Sequence, residues 1–109
     1  MDEITKLLSN FFTVLSDPLK LQILKYLKYG ELSTKEIKRK LNISQSYTSQ
    51  QINQLISEGL IYSHKTENRV KFYNIKYEKI FEILDLAKAF LKKIEADKYK
   101  RLFEEEFQL

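Results

Sequence analysis

The sequence predicts a mainly helical α+β fold, with several helices ahead of a β-hairpin and one long helix behind it. Three observations predict it. Apolar residues recur at three- and four-residue spacing on both sides of the chain's middle. Between residues 60 and 75 that period gives way to two short runs rich in Ile, Tyr, Val and Phe, separated by Glu67-Asn68. Capping residues punctuate the helical stretches at Asp17-Pro18, Ser33 and Ser44. At 109 residues and 43% hydrophobic composition, a single domain over 1–109 is expected. Its core is small enough that self-association would add stability.

The first helix is expected over Asp2–Leu15, where Ile4, Leu7, Leu8, Phe11, Phe12 and Leu15 keep the spacing. Six large apolar side chains exceed what one helix of a small domain needs for its own core, so part of this face is expected to meet a second chain. Asp17 caps a second helix, and Pro18 suits its first position, where no N–H bond is lost. That helix runs to about Lys28 and buries Leu19, Ile23, Leu24 and Leu27. Glu31-Leu32-Ser33 is too short for a helix and suits a brief strand. Ser33-Thr34-Lys35-Glu36 fits a capping box, in which Glu36 reaches back to the Ser33 N–H. It opens a short third helix, Thr34–Leu41, burying Ile37 and Leu41.

Asn42-Ile43-Ser44 turns the chain into a fourth helix, capped by Ser44 and stopped by Gly59, which takes a positive φ without steric cost. Thr48, Ile52 and Leu55 face its core. Leu60–Thr66 and Arg69–Ile75 form the hairpin, with Asn68 taking the left-handed conformation of a tight turn. From Tyr77 the helical period returns. Ile80, Ile83, Leu84, Ala87, Leu91 and Ile94 make one stripe, Phe81 and Phe90 widen it, and helical character continues through Tyr99, Leu102, Phe103 and Phe107. Pairing of this helix with the first helix of a partner chain is the economical reading of its length. Segments 1–15 and 77–107 are therefore expected as dimerisation helices. Their interface residues are expected to be Ile4, Leu7, Leu8, Phe11, Phe12, Ile80, Leu84, Ala87 and Leu91.

The fourth helix has an unusual outer face. Gln45, Ser46, Tyr47, Ser49, Gln50 and Asn53 turn away from the core, and no charge occurs from Gln45 to Ser57. An ordinary solvated face carries Lys and Glu. Neutral groups that both donate and accept are what base edges in a major groove require. Two short helices joined by about three residues, the second polar outside, make a helix-turn-helix over 34–57, and the hairpin over 60–75 is then a wing. Charge agrees. The formal net charge is +4, with residues 18–79 contributing +7 and the flanks −3. A basic middle suits a polyanion. Thr34, Lys35 and Lys38 on the third helix, and Lys65, Arg69 and Lys71 on the wing, are the expected phosphate contacts.

The element order and three motifs carry a family resemblance. Leu15-Ser16-Asp17-Pro18-Leu19-Lys20-Leu21-Gln22-Ile23-Leu24 is similar to the opening motif of the ArsR (arsenical-resistance-repressor) family of winged-helix transcription regulators. Ile43-Ser44-Gln45-Ser46, Ser49-Gln50, Leu55 and Gly59-Leu60-Ile61 resemble that family's recognition helix, and Arg69–Ile75 its second wing strand. The match covers roughly residues 10–76. It implies a homodimer joined through its first and last helices, acting as a repressor on a palindromic operator, with Gln45, Ser46, Ser49 and Gln50 at base- and backbone-contacting positions. The departures are informative. Metal-sensing members carry a Cys pair before the recognition helix, where this chain has Ser33, Thr34 and Glu36, or Asp, His and Glu on the last helix, where it has Glu82 and Asp85 but no His. The one histidine, His64, lies on the wing, as an exposed strand residue or a phosphate contact. No metal and no cofactor are expected.

An enzyme is not expected. There is no Cys, one His, no Gly-rich phosphate loop and no carboxylates at catalytic spacing. The absence of Cys excludes disulfides and zinc fingers. No run is apolar enough to span a bilayer and no signal-peptide pattern follows Met1, so a cytoplasmic protein with no membrane partner is expected. The expected partners are double-stranded DNA and a second copy. The competing reading is a winged helix used as a protein-interaction module or for non-specific DNA binding. The first would call for apolar anchors on the outer face of the fourth helix, where Tyr47 alone qualifies.

Overall fold

The computed structural model describes residues 1–107 and divides into two compact units, residues 1–77 and the chain from Glu78 onward. It is mainly helical with one small sheet, as the sequence predicts. The first unit contains α1 (Glu3–Leu15), α2 (Pro18–Leu27), β1 (Leu32–Ser33), α3 (Thr34–Leu41), α4 (Gln45–Ser57), β2 (Ile61–Lys65) and β3 (Lys71–Ile75). The second contains α5 (Lys79–Phe107), 29 residues and so roughly 43 Å long.

Local chemistry sets the helix ends. The Asp17 carboxylate accepts the Leu19 N–H at 2.8 Å, with Pro18 opening α2. The capping box is complete: the Glu36 N–H donates to Ser33 Oγ and the Ser33 N–H to Glu36 Oε1, both at 3.2 Å. Asn42 ends α3 in the left-handed region, at φ 56°, which its short polar side chain tolerates. Ser44 Oγ accepts the Tyr47 N–H at 3.2 Å to start α4. Gly59, at φ 80°, ends it in a two-bond terminus: Leu60 N–H donates to Leu55 C=O and Gly59 N–H to Ile56 C=O.

The sheet is antiparallel throughout, in the order β1-β3-β2. β1 is the brief strand expected near Glu31, and it pairs Leu32 with Tyr73 and Ser33 with Phe72. The hairpin turn departs from expectation. Arg69, not Asn68, holds the left-handed conformation, at φ 61°. The Arg69 N–H donates to Thr66 C=O at 2.9 Å and the Thr66 N–H to Val70 C=O at 3.0 Å. A three-residue loop of this kind needs its left-handed residue in the third place, which falls on Arg69.

The core of the first unit consists of Leu15, Ile23, Leu24, Leu27, Ile37, Ile52, Leu55, Ile61, Tyr73 and Ile75. Leu19 and Leu41, expected within it, are half-buried because they lie at the margins of their helix stripes. No helix among the described residues is long and apolar enough to cross a membrane.

Candidate nucleic-acid interface

α4 presents the expected residues outward. Gln45, Ser46, Tyr47, Gln50 and Asn53 are exposed and Ser49 is half-buried. A shallow polar groove on this face is lined by Ser46, Ser49, Gln50, Asn53, Gln54 and Ser57. Gln54 and Ser57 were not among the residues expected there. They lie one helical turn beyond Gln50 and Asn53, and the same period finds them. Thr48 is fully buried on the opposite side, with its hydroxyl donating to Ser44 C=O at 2.8 Å.

Cations flank this neutral face. Lys35, Lys38, Arg39, Asn42 and Ile43 line a second recess on α3 and the turn that follows. Lys40 points elsewhere, with its ammonium 5.3 Å from the Tyr26 ring centre. On the wing, Lys65 and Lys71 sit directly opposite each other across the β2–β3 pair. Like charges in that register repel. Arg69 adds a third positive charge at the same tip. Among the described residues, none of Lys35, Lys38, Arg39, Lys65, Arg69 and Lys71 has an ion-pair partner, whereas α5 pairs Lys79 with Glu82, Lys93 with Asp97 and Lys98 with Glu95. Thr34, expected at the phosphates, is half-buried and shares a 3.0 Å hydrogen bond with the Tyr73 hydroxyl.

His64 is tied into the sheet. Its Nε2 lies 3.2 Å from Glu31 Oε2, its Nδ1 lies 3.2 Å from Asn74 Nδ2, and its ring stacks on Phe72. Among the described residues no group of three or more His, Cys, Asp or Glu side chains is placed to hold a metal ion.

Sequence reasoning missed a buried polar cluster beneath α4. Lys20 Nζ donates to Gln51 Oε1 at 2.8 Å and to Asp17 Oδ2 at 3.1 Å. Burial works to raise the Asp17 carboxyl, but the Lys20 hydrogen bond, the Leu19 N–H and the Lys20 charge outweigh it and hold the group below the usual carboxylate range. A signal was present. Lys20 with Ile23, Leu24 and Leu27, and Thr48 with Gln51, Ile52 and Leu55, both keep the core spacing. Residue type hid what the period showed.

The apolar faces assigned to dimerisation divide. Ile4, Leu7, Leu8 and Phe12 on α1 are 65%, 55%, 52% and 58% exposed, while Phe11 is half-buried and Leu15 buried. On α5, Ala87 and Leu91 are exposed and Leu84 half-buried. Ile80 is buried within the single chain and has little surface left to offer. Leu86 and Phe90 are exposed beside them.

Comparison with known proteins agrees with this geometry. Residues 17–63 match the family model described as bacterial regulatory protein, arsR family. No curated protein sequence matches the chain. Among solved structures, Rv0081 of M. tuberculosis is 26% identical with a TM-score of 0.82, over 90% of this chain and 98% of that one. The homodimeric winged helix-turn-helix DNA-binding domain Mb0332 of Mycobacterium bovis, a possible ArsR-family regulator, is 20% identical with a TM-score of 0.72, over 83% and 82% of the two chains. The transcriptional repressor BigR of Xylella fastidiosa is 24% identical with a TM-score of 0.66, over 76% and 84%. The family model describes regulatory proteins, and BigR is described as a transcriptional repressor. Through residues 17–63, somewhat under half of its length, the chain resembles the arsR family of bacterial regulatory proteins, and its fold is the winged helix-turn-helix.

Proposed function

We propose that this protein is a cytoplasmic repressor that binds a palindromic operator in double-stranded DNA, sequence-specifically and as a homodimer. The observation that carries the proposal is the uncharged hydrogen-bonding face of α4, flanked by unpaired cations on α3 and on the wing. On this reading Lys35, Lys38, Lys65, Arg69 and Lys71 hold phosphates and set affinity without reading sequence, with Thr34 beside them at the start of α3. Gln45, Ser46, Tyr47, Ser49, Gln50 and Asn53 read bases. Gln and Asn bond an adenine edge bidentately, and no Arg or Lys on this face reads guanine, so the operator leans toward A·T pairs. The exposed faces of α1 and α5 join the two copies and place half-sites about 10 bp apart, or a multiple of that. The homodimeric state of Mb0332 and the repressor role of BigR support the assembly and the direction of regulation.

Selection of binding sites from random DNA tests the proposal. A recovered inverted repeat is expected, and recovery of no preferred sequence would contradict it. On the selected operator, Gln50→Ala is expected to cost about 1–3 kcal/mol, the scale of one good base contact, and little on a scrambled duplex at the same salt. Equal losses on both would reassign Gln50 to the backbone. Arg69 separates the two roles of the wing. A left-handed conformation costs a non-glycine residue about 1–2 kcal/mol, part of which glycine's greater chain entropy takes back. Arg69→Gly is therefore expected to raise stability by up to about 1 kcal/mol. It should also lower the slope of log affinity against log salt by about one unit. A loss of stability in urea titration would mean that the arginine side chain itself braces the turn.

A further inference from the structure

α2 and α4 pack against each other. Each supplies fully buried aliphatic side chains to the core: Ile23 and Leu24 from α2, Ile52 and Leu55 from α4. That attraction is non-directional and leaves a helix free to settle at a range of rotations. Into the same region the chain places Lys20, 6% exposed, and Gln51, 3% exposed, joined Nζ to Oε1 at 2.8 Å. An apolar pair would fill this space without the cost of desolvating an ammonium group. What the polar pair adds is direction, because a hydrogen bond weakens steeply when its angle is spoiled. The far end is anchored as well. Lys20 also donates to Asp17 Oδ2 at 3.1 Å, and Asp17 Oδ1 caps α2 by accepting the Leu19 N–H. Gln51 immediately follows Gln50 and lies two residues before Asn53. With side chains reaching roughly 5–6 Å from the helix axis, a rotation of about 10° moves their ends by about 1 Å. That is enough to spoil a bidentate contact to a base edge.

We infer that Lys20 is a positioning residue for base readout, which through its buried hydrogen bond to Gln51 fixes the rotation of α4 and hence where Gln50 and Asn53 meet the bases. The inference rests on the DNA-reading role proposed for α4. Its test therefore includes a measurement made without DNA.

Lys20→Met/Gln51→Met replaces both partners with side chains of similar length and leaves no buried group of the pair unsatisfied, so the melting temperature is expected to hold. Residual dipolar couplings of the α4 amides in the free full-length protein are expected to depart from the wild-type orientation relative to α2. Discrimination between the selected operator and a scrambled duplex is expected to fall about tenfold or more, with affinity for the scrambled duplex unchanged. Lys20→Arg, which keeps a buried donor, is expected to retain both properties. Gln51→Met alone leaves Lys20 paired with Asp17 and gives the same loss, which covers the case in which the double variant does not fold. Wild-type couplings for α4 in either methionine variant overturn the inference, whatever the DNA result. A wild-type protein with no preference between duplexes would count against base reading instead, and the couplings would still decide whether Lys20 orients the helix.

Discussion

Leu8→Glu is expected to turn the proposed dimer into a folded monomer. Leu8 is half in solvent within the single chain, alongside Ile4, Leu7 and Phe12, which are more exposed still. Scattered apolar residues on a surface are ordinary, but a contiguous patch of large ones marks a contact surface. In a two-fold dimer each substitution counts twice. Forfeiting two buried leucines costs roughly 3–6 kcal/mol at 1.5–3 each, before the desolvation of two carboxylates is added. The association constant should fall at least a hundredfold. Because Leu8 contributes little to the protomer's own core, the helical circular-dichroism signal should persist while the mass from light scattering halves. Operator affinity should fall with it, since the two half-sites would no longer be bound as one unit. A retained dimer mass would place the interface elsewhere, and an unfolded variant would show that the α1 stripe belongs to the protomer core.

Ile52→Ala should have the largest effect on the fold itself. Ile52 is fully buried on α4, between that helix's polar outer face and the rest of the core. Truncating such a side chain removes its transfer free energy and leaves a cavity, for a cost of about 2–5 kcal/mol. Against a total stability on the order of 5–15 kcal/mol, that is a large share. At roughly 4–8 °C per kcal/mol for a chain of this size, the melting temperature should drop by about 8 °C or more. A thermal or urea titration reads the result directly. A loss below about 1 kcal/mol would mean that the core face of α4 collapses around the vacancy more freely than a close-packed interior does.

Legibility from sequence followed the range of the interaction. Asp17, Ser33 with Glu36, and Ser44 fix helix ends through bonds spanning two or three residues, so the pattern that predicts each cap also contains its cause. The outward face of α4 was legible for a similar reason, because helical period alone decides which side of α4 Gln50 and Asn53 occupy. The Lys20–Gln51 bond spans 31 residues, and no local pattern announces its partner. Both residues stood on core stripes, yet a lysine and a glutamine are read as surface by type. The wing turn shows a finer failure. Asn68 has the chemistry that favours a positive φ, but loop length assigned that conformation to its neighbour Arg69. On α5, period marked Ile80 as apolar but could not say whether the side chain is buried by its own chain or left for another, and in the structure it is buried.

The separation of charge from hydrogen-bonding capacity has a consequence for how an operator would be found. On the DNA-binding role proposed above, cations on α3 and the wing and none on α4 would let the protein hold a duplex by counterion release alone while the outer face of α4 makes no lasting bond. Translocation by one base pair then exchanges equivalent phosphates at little cost. The polar groups of α4 meet each successive sequence without an electrostatic grip that would slow departure from a wrong one. Such a surface favours one-dimensional sliding, so the time to locate a site should lengthen as salt is raised and sliding gives way to hopping and dissociation. Residence on the operator, once reached, would be governed by the neutral contacts and so be less sensitive to salt than the search that precedes it.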